Sequence, residues 1–82
     1  MFYTYILFNE SSKKTYVGHT DNKKRRLAEH NSAKGLYSRR YMPWKIIYSE
    51  EFATLEESVK REKYFKSAAG RRWMKKNLFN NK

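Results

Sequence analysis

Cysteine is absent from this sequence of 82 residues. The absence excludes disulfides, thiolate metal ligands and cysteine nucleophiles, and it is compatible with a reducing cytoplasm. The N-terminus has no basic region and only a short apolar run, so we expect neither a signal peptide nor a membrane span. The length allows one small domain, residues 1–82, with a modest core and no second catalytic module. We therefore expect a soluble, cytoplasmic protein.

Acidic residues are few compared with basic ones. The chain has 8 Asp and Glu against 19 Lys and Arg, a formal net charge of +11, which predicts a polyanionic partner. Aromatic residues lie between the basic clusters and could stack on bases, which favours nucleic acid over a lipid surface. The alternative is that these rings only cover the core edge, and we favour it for Trp44 and Trp73. The candidate nucleic-acid-binding residues are Lys23, Lys24, Arg25, Arg39, Arg40 and Lys66.

Three segments are predicted to be strands. Phe2 to Phe8 carries bulky apolar residues on both faces, which predicts a central strand. Thr15 to Gly18 follows a polar loop and is the predicted antiparallel partner. Gly18 either ends this strand or allows close approach of another backbone. Trp44 to Ser49 follows the only proline, Pro43, and is the predicted third strand.

The first predicted helix follows the second strand. Either Thr20 or Asp21 can cap it, and it should run to about Asn31. Within it, Arg26 and His30 stand four residues apart on one face. Because its apolar content is small, this helix should lie on the surface with one side against the sheet.

The second predicted helix, residues 54–66, places a carboxylate where an ordinary amphipathic helix would not. Thr54 and Glu57 have the spacing of a capping box, which fixes the start of the helix. At about 100° per residue, Glu62 falls on the inward side. A buried carboxylate needs a basic, hydrogen-bonding or metallic partner. The alternative to a functional role is a salt bridge with an Arg or Lys at the core edge. The predicted inward arc contains Leu55, Val59, Glu62 and Lys66, with Phe65 at its edge.

The remaining segments complete the fold. Residues 32–42 are predicted to form a mobile loop that could close over a substrate. Residues 67–70 predict a break with Gly70 as the helix stop, and a short last helix to Phe79 should close the core. We therefore predict an α+β fold, a small three-stranded antiparallel sheet flanked by helices, in the order β-β-α-β-α-α.

Four polar side chains could converge in such a fold, and their spacing resembles a known family. They are Tyr5 and Tyr16 on neighbouring strands, Arg26 on the first helix and Glu62 on the second. Taken singly, each also fits an ordinary place at the core edge or on a solvated face.

The motifs Tyr3-Thr4-Tyr5 and Tyr16-Val17-Gly18, with Arg26 ten residues beyond Tyr16, resemble the GIY-YIG nuclease family over almost the whole chain. The later glutamate of the family matches Glu62. The sequence is most similar to the small single-domain members, and also to the N-terminal nuclease domain of the bacterial excision-repair incision subunit. It departs from the pattern at three positions, with Tyr3 in place of the first glycine, Val17 in place of isoleucine, and His30 where several members carry tyrosine.

The resemblance implies a set of catalytic roles. Glu62 would bind one divalent ion, Mg²⁺ or Mn²⁺, and Arg26 would clamp the scissile phosphate. Either Tyr5 or Tyr16 would orient or deprotonate the attacking water, with Tyr5 favoured, and His30 would carry a proton or contact a phosphate. A phenol with a pKa of about 10 is a poor base unless Arg26 and the metal lower that value.

These expectations leave three functions open. The first is a metal-dependent, structure-selective endonuclease acting on DNA rather than RNA in repair or recombination, as a weak homodimer or within a larger repair assembly. The second is a non-catalytic nucleic-acid-binding module that retains the nuclease fold. The third is a small basic protein that docks on an RNA or protein assembly.

Overall fold

The computed structural model describes residues 1–32 and 41–79. Within these residues the chain forms three strands and three helices in the predicted order, so the α+β fold is confirmed. The predicted loop falls largely on residues 33–40, and Arg39 and Arg40 with it, so these predictions lie outside the described residues. The elements are β1 (Phe2–Asn9), β2 (Lys14–Thr20), α1 (Lys23–His30), β3 (Lys45–Phe52), α2 (Leu55–Lys66) and α3 (Ala68–Asn77).

The three strands form one antiparallel sheet in the order β2-β1-β3. The central position of β1 is confirmed, and its apolar content explains it, because Ile6 and Leu7 point to opposite faces and are both fully buried. Across the sheet, Tyr5 lies opposite Gly18 of β2 and Ser49 of β3. Strand β2 is therefore an edge strand within the described residues.

The sheet separates two groups of core residues. On one face, Ile6 and Val17 pack with Phe65 of α2 and Met74 of α3, and Trp73 packs against this group. The strict alternation of a strand places the next residues of β1 on the other face.

The second core group lies on that other face, beneath α1. It consists of Tyr5, Leu7 and Trp44, with Leu27 of α1 packed against it. Trp44 is 3% exposed, so the prediction that the two tryptophans belong to the core edge is confirmed.

Helix α1 begins one residue later than predicted. Its N-cap is Asn22, whose side-chain oxygen accepts a hydrogen bond from the backbone N–H of Arg25, so the prediction of Thr20 or Asp21 is wrong. Thr20 is the last residue of β2, and its hydroxyl oxygen accepts from the backbone N–H of Asn22 instead. Its oxygen therefore supports the cap rather than forming it.

The capping box of Thr54 and Glu57 at the start of α2 is confirmed, but the predicted inward arc is only partly right. Ser58 and Phe65 are the fully buried residues of this helix, whereas Leu55 is 48% exposed. The hydroxyl of Thr4 donates to the Ser58 carbonyl at 2.7 Å, and this contact holds that side of α2 against the sheet. The side of α2 that packs against the sheet is therefore rotated about the helix axis relative to the side that the apolar residues predict.

Gly70 does not stop a helix. Ser67 ends α2 and also caps α3, which begins at Ala68, so Gly70 lies in the first turn of α3. A β-carbon at Gly70 would overlap the backbone of Tyr64 and Phe65 at the end of α2. Glycine is required there because the two helices cross in contact.

No helix among residues 1–32 and 41–79 has the length and apolar character needed to cross a bilayer.

Candidate active site

Tyr5 occupies the middle of the central strand and is 2% exposed. Its ring lies against Gly18, directly opposite on β2. A β-carbon at Gly18 would come within 2.5 Å of the phenol oxygen and 2.8 Å of the adjacent ring carbon. The predicted close approach at Gly18 is thus made by a side chain rather than by a backbone.

Two residues of α1 hold the phenol group of Tyr5. The Nε of Arg26 donates to the phenol oxygen at 3.3 Å, and the Nε2 of His30 lies 3.1 Å from it. Their four-residue spacing brings both side chains to the same point, as the sequence predicts. Tyr5, Arg26 and His30 therefore form one hydrogen-bonded group.

The buried position of this group sets its protonation states. Burial raises the pKa of Tyr5, and this effect outweighs the lowering by Arg26. Arg26 alone therefore does not bring the pKa of Tyr5 below its ordinary value. Burial, with a smaller contribution from the positive charge of Arg26, lowers the pKa of His30. At neutral pH both groups are uncharged, so Tyr5 can accept from Arg26 and donate its proton to His30.

Tyr16 is more accessible than Tyr5. It is half-buried on edge strand β2, and its ring packs edge-on against His30 with centroids 4.5 Å apart. The residue also lines an open groove of about 350 Å³ between β2 and the α2–α3 corner. His30 thus contacts both tyrosines, one inside the core and one at the surface.

The guanidinium of Arg26 is 40% exposed. Its Nη1 donates to a carboxylate oxygen of Glu29 at 2.9 Å, and this hydrogen bond, followed by the one to Tyr5, raises the pKa of Arg26 above its already high value. Arg26 is therefore a permanent cation. Its guanidinium is held in place by Tyr5 and Glu29, and part of the side chain is accessible at the surface. Such a group suits a phosphate, which a planar guanidinium can bind through two hydrogen bonds.

Glu62 projects from α2 on the opposite side of the sheet and is 16% exposed, as its predicted inward position requires. One carboxylate oxygen contacts Nδ1 of His19, and the other accepts from Nζ of Lys66 at 2.7 Å. Burial works against the charge, but the hydrogen bonds from Lys66 and His19 outweigh it and lower the pKa of Glu62. The partners of this carboxylate are thus a histidine and a lysine one turn away.

His19 is a residue of this site that the sequence-based reasoning missed. The available signal was the alternation of β2, since Val17 faces α2 and the residue two positions later must face it too. One strand thereby presents Tyr16 to the cluster beneath α1 and His19 to the carboxylate on α2.

A groove of about 330 Å³ connects the two halves of the site at the end of β2. Its lining includes Arg26 from one half and His19 from the other. Because His19 contacts Glu62, a ligand in this groove would lie between the guanidinium and the carboxylate. Of the four predicted residues, Arg26 lines this groove directly and Glu62 adjoins it through His19, whereas Tyr5 and Tyr16 lie behind Arg26 on the α1 side of the sheet.

The donor atoms fit a hard cation held largely by water. Within the described part of the chain, no group of three His, Cys, Asp or Glu side chains could enclose a metal. Glu62 supplies one anionic carboxylate, which is enough for Mg²⁺ or Mn²⁺ with a mostly aqueous coordination shell. Lys66 and His19 are exposed enough, at 56% and 38%, to move away from this carboxylate.

The predicted nucleic-acid-binding residues of α1 are partly engaged with the protein. Arg25 pairs with Asp21 at 2.8 Å and with Glu29 at 3.8 Å. Lys23 donates to the Ser49 hydroxyl at 3.2 Å and lies over a tyrosine ring, whereas Lys24 is exposed. Two of the four cations of α1, Arg25 and Arg26, therefore pair with acidic side chains, whereas Lys23 and Lys24 form no ion pair within the described residues.

Comparison with known proteins gives a consistent result. The family model of the GIY-YIG catalytic domain matches residues 1–77. The UPF0213 protein SAG0778 of Streptococcus agalactiae is 44% identical over 66 residues, which are 78% of this chain and 73% of that protein. The UPF0213 protein spr1390 of Streptococcus pneumoniae is 48% identical over 52 residues, 62% of this chain and 52% of that protein. This chain thus spans about half the length of some relatives that it matches. No solved structure matches.

Proposed function

Because this chain belongs to the GIY-YIG catalytic domain family, we propose that it is a metal-dependent endonuclease that hydrolyses phosphodiester bonds in DNA. The observation that carries the proposal is the convergence of Arg26 and His30 on the phenol of Tyr5, next to a groove that also reaches His19. Hydrolysis of a phosphodiester needs a clamped phosphate, an activated water and a stabilised leaving oxygen. Each need has a candidate residue at this site.

Arg26 is the proposed phosphate clamp. Its contacts with Tyr5 and Glu29 fix the direction of the guanidinium, while 40% of the side chain stays exposed to a ligand. A fixed cation stabilises the charge that grows on the phosphate oxygens without first having to reorganise. Lysine would provide the charge but not the planar pair of donors.

Tyr16 is the proposed contact for the attacking water, with Tyr5 behind it. Tyr5 is 2% exposed and its pKa is raised by burial, so it is poorly placed to meet a water molecule. Tyr16 borders open solvent and packs on His30, which in turn contacts Tyr5. The sequence favoured Tyr5 as the base, and its burial moves our proposal to Tyr16. The phenol oxygen of Tyr16 would accept a hydrogen bond from the water and so orient it for attack on the phosphate.

Glu62 would hold the metal, and His19 and Lys66 would flank it. A bound Mg²⁺ or Mn²⁺ would supply positive charge for the leaving oxygen. The low pKa of Glu62 keeps the carboxylate ionised and ready for a cation at neutral pH. A cation at Glu62 would compete with Lys66 for the carboxylate, and Lys66 is exposed enough to contact a phosphate instead.

We propose a structural target in DNA, such as a branch, flap or single strand, rather than a sequence. Residues 1–82 form one small domain in this proposal. Affinity would come mainly from phosphate contacts and would fall steeply with salt. One active site cuts one strand, so a double-strand break in repair or recombination would need a weak homodimer, a second nick or a larger assembly. Such a role places the protein in the cytoplasm.

The second candidate is a non-catalytic nucleic-acid-binding module with the same fold. The observation that favours it is that both oxygens of Glu62 are already paired, with His19 and with Lys66. In that case the carboxylate of Glu62 would have a structural role, and the basic surface would bind the nucleic acid without cleaving it.

Cleavage of labelled branched, flapped, single-stranded and duplex DNA, with Mg²⁺, Mn²⁺ or EDTA, tests the two candidates. The key variant is Glu62→Gln, and the matched control is Glu56→Gln, an exposed glutamate of the same helix. We expect Glu62→Gln to abolish metal-dependent cleavage while binding is kept, and Glu56→Gln to behave as wild type. Arg26→Lys should lower cleavage at least tenfold. Binding by the wild type without cleavage in any metal would support the second candidate instead.

A further inference from the structure

Six cations lie at the end of α2 and along α3. From residue 63 to residue 79 the chain has no acidic residue. None of the four cations of α3 forms an ion pair with an acidic residue that the structure describes. These cations are Arg71, Arg72, Lys75 and Lys76, and all are exposed.

One side of α3 adjoins the candidate active site. Arg71 and Lys66 line the same groove as Tyr16. The floor of this groove is apolar and includes Phe65 and Met74. Lys66 is also the residue that contacts Glu62. The groove therefore lies between edge strand β2 and α3, and Lys66 connects it to the carboxylate of Glu62.

The helical period divides the cations of α3 into two pairs. Met74 is buried and marks the inward side. At about 100° per residue, Arg71 and Lys75 lie together on the flank next to the groove. Arg72 and Lys76 lie together on the side away from Met74. Two pairs of equal charge thus share one helix but differ in their relation to the groove.

We propose that this groove, together with Arg71 and Lys75, binds the phosphodiester backbone of the nucleic-acid strand as it leaves the active site. The proposal rests on the proposed function for the position of the scissile phosphate. A positively charged groove that follows the backbone is the usual arrangement for binding a nucleic-acid strand. Lys66 and Arg71 supply the charge of this groove, and Tyr16 of edge strand β2 is one of its lining residues.

The surface chemistry favours a nucleic-acid backbone over a lipid bilayer. Binding of a helix to a bilayer needs an exposed apolar face beside the cations. Among the described residues the large exposed hydrophobic side chains are Met1 and Leu55, and neither belongs to α3. The exposed side of α3 is cationic without such an apolar face, as expected for contacts with phosphates.

The test compares two double variants that remove the same charge from the same helix. Arg71→Gln with Lys75→Gln removes the groove-side pair, and Arg72→Gln with Lys76→Gln removes the other pair. Binding to labelled single-stranded and duplex DNA is measured in EDTA over a range of salt concentrations. The groove-side variant would lose two phosphate contacts. The magnitude of its negative slope of log K against log salt should therefore be smaller by about 1.4 for single strands and about 1.8 for duplex, and the slope of the other variant should change little. Circular dichroism and thermal melts check that both variants fold.

The outcomes separate this inference from the proposed function. Equal effects of the two double variants would overturn the inference, because binding would then depend only on total charge. The absence of DNA binding by the wild type would overturn it as well. If the slope changes as expected but the wild type never cleaves, the groove is confirmed and the nuclease proposal fails. If the wild type cleaves and the groove-side variant keeps its slope, the nuclease stands and the groove is rejected.

Discussion

The phenol oxygen of Tyr5 occupies space that a side chain at Gly18 would need, since a β-carbon there would lie 2.5 Å from it. The two residues are register partners on β1 and β2. Glycine is therefore needed at this position to leave room for the Tyr5 side chain, and not to form a turn or to end a strand. The conformation of the Tyr5, Arg26 and His30 group depends on this contact.

Gly18→Ala should displace the Tyr5 ring. We expect the free energy of unfolding to fall by about 1–3 kcal/mol, the usual cost of overpacking a core, and cleavage to fall with it. Chemical denaturation measures the first effect. In a Tyr5→Phe background the alanine loses its closest clash, so its cost should be smaller. Strictly additive effects of the two substitutions would contradict the contact.

Glu62→Gln should change the stability of the metal-free protein by less than about 1 kcal/mol, because both partners of this carboxylate are well exposed. A purely structural carboxylate would cost more. The comparison is Glu50→Gln, whose carboxylate binds Arg61 through two hydrogen bonds of 2.7 and 3.2 Å, and Arg61 is less exposed than either partner of Glu62. Thermal melts without metal should show the larger loss for Glu50. The reverse order would support a structural role for Glu62.

His30 should make the stability depend on pH. Its folded pKa is lowered by burial and by Arg26, whereas the unfolded value is about 6.5. As the pH falls, the unfolded state therefore binds a proton before the folded state does. The stability that the neutral His30 contributes is complete above about pH 6.5 and is lost as the pH falls towards the folded pKa. We expect wild type to lose more stability than His30→Gln between about pH 8 and pH 5.5. Parallel losses in the two proteins would show that His30 is not the group that titrates.

Gly70→Ala should destabilise the protein strongly. A β-carbon would overlap the backbone of Tyr64 and Phe65, which cannot rotate away as a side chain could. We expect a loss of at least about 1–3 kcal/mol in chemical denaturation. Ala69→Ser, at the exposed neighbouring position, is the control and should change stability by less than about 0.5 kcal/mol. A neutral Gly70→Ala would mean that α2 and α3 can separate at little cost.

Features that depend on neighbours along the chain were predictable from the sequence. The capping box of Thr54 and Glu57 and the shared face of Arg26 and His30 are spacings of three and four residues, which a helix fixes locally. The central position of β1 followed from apolar residues on both of its faces. The inward position of Glu62 followed from the helical period, although that period did not correctly predict the other buried residues of α2.

The features that the sequence left undetermined depend on contacts between distant segments. The exposure of Leu55 follows from a hydrogen bond between Thr4 and Ser58, which are 54 residues apart. The contact between His19 and Glu62 depends on how β2 and α2 are placed against each other. Periodicity assigns a residue to a face of its own element, but only packing decides what that face meets.

The sequence alone determined a basic α+β protein with a tyrosine, an arginine and a glutamate at spacings typical of one family, because charge and periodicity are properties of the chain itself. Tertiary structure decided which groups can act. Burial made Tyr5 a neutral internal group and left Tyr16 at the surface, and among the described residues ion pairs engage Arg25 and Arg26 of α1 but none of the cations of α3. Solvation and pairing are set by every element that surrounds a side chain, and only the folded structure specifies those surroundings.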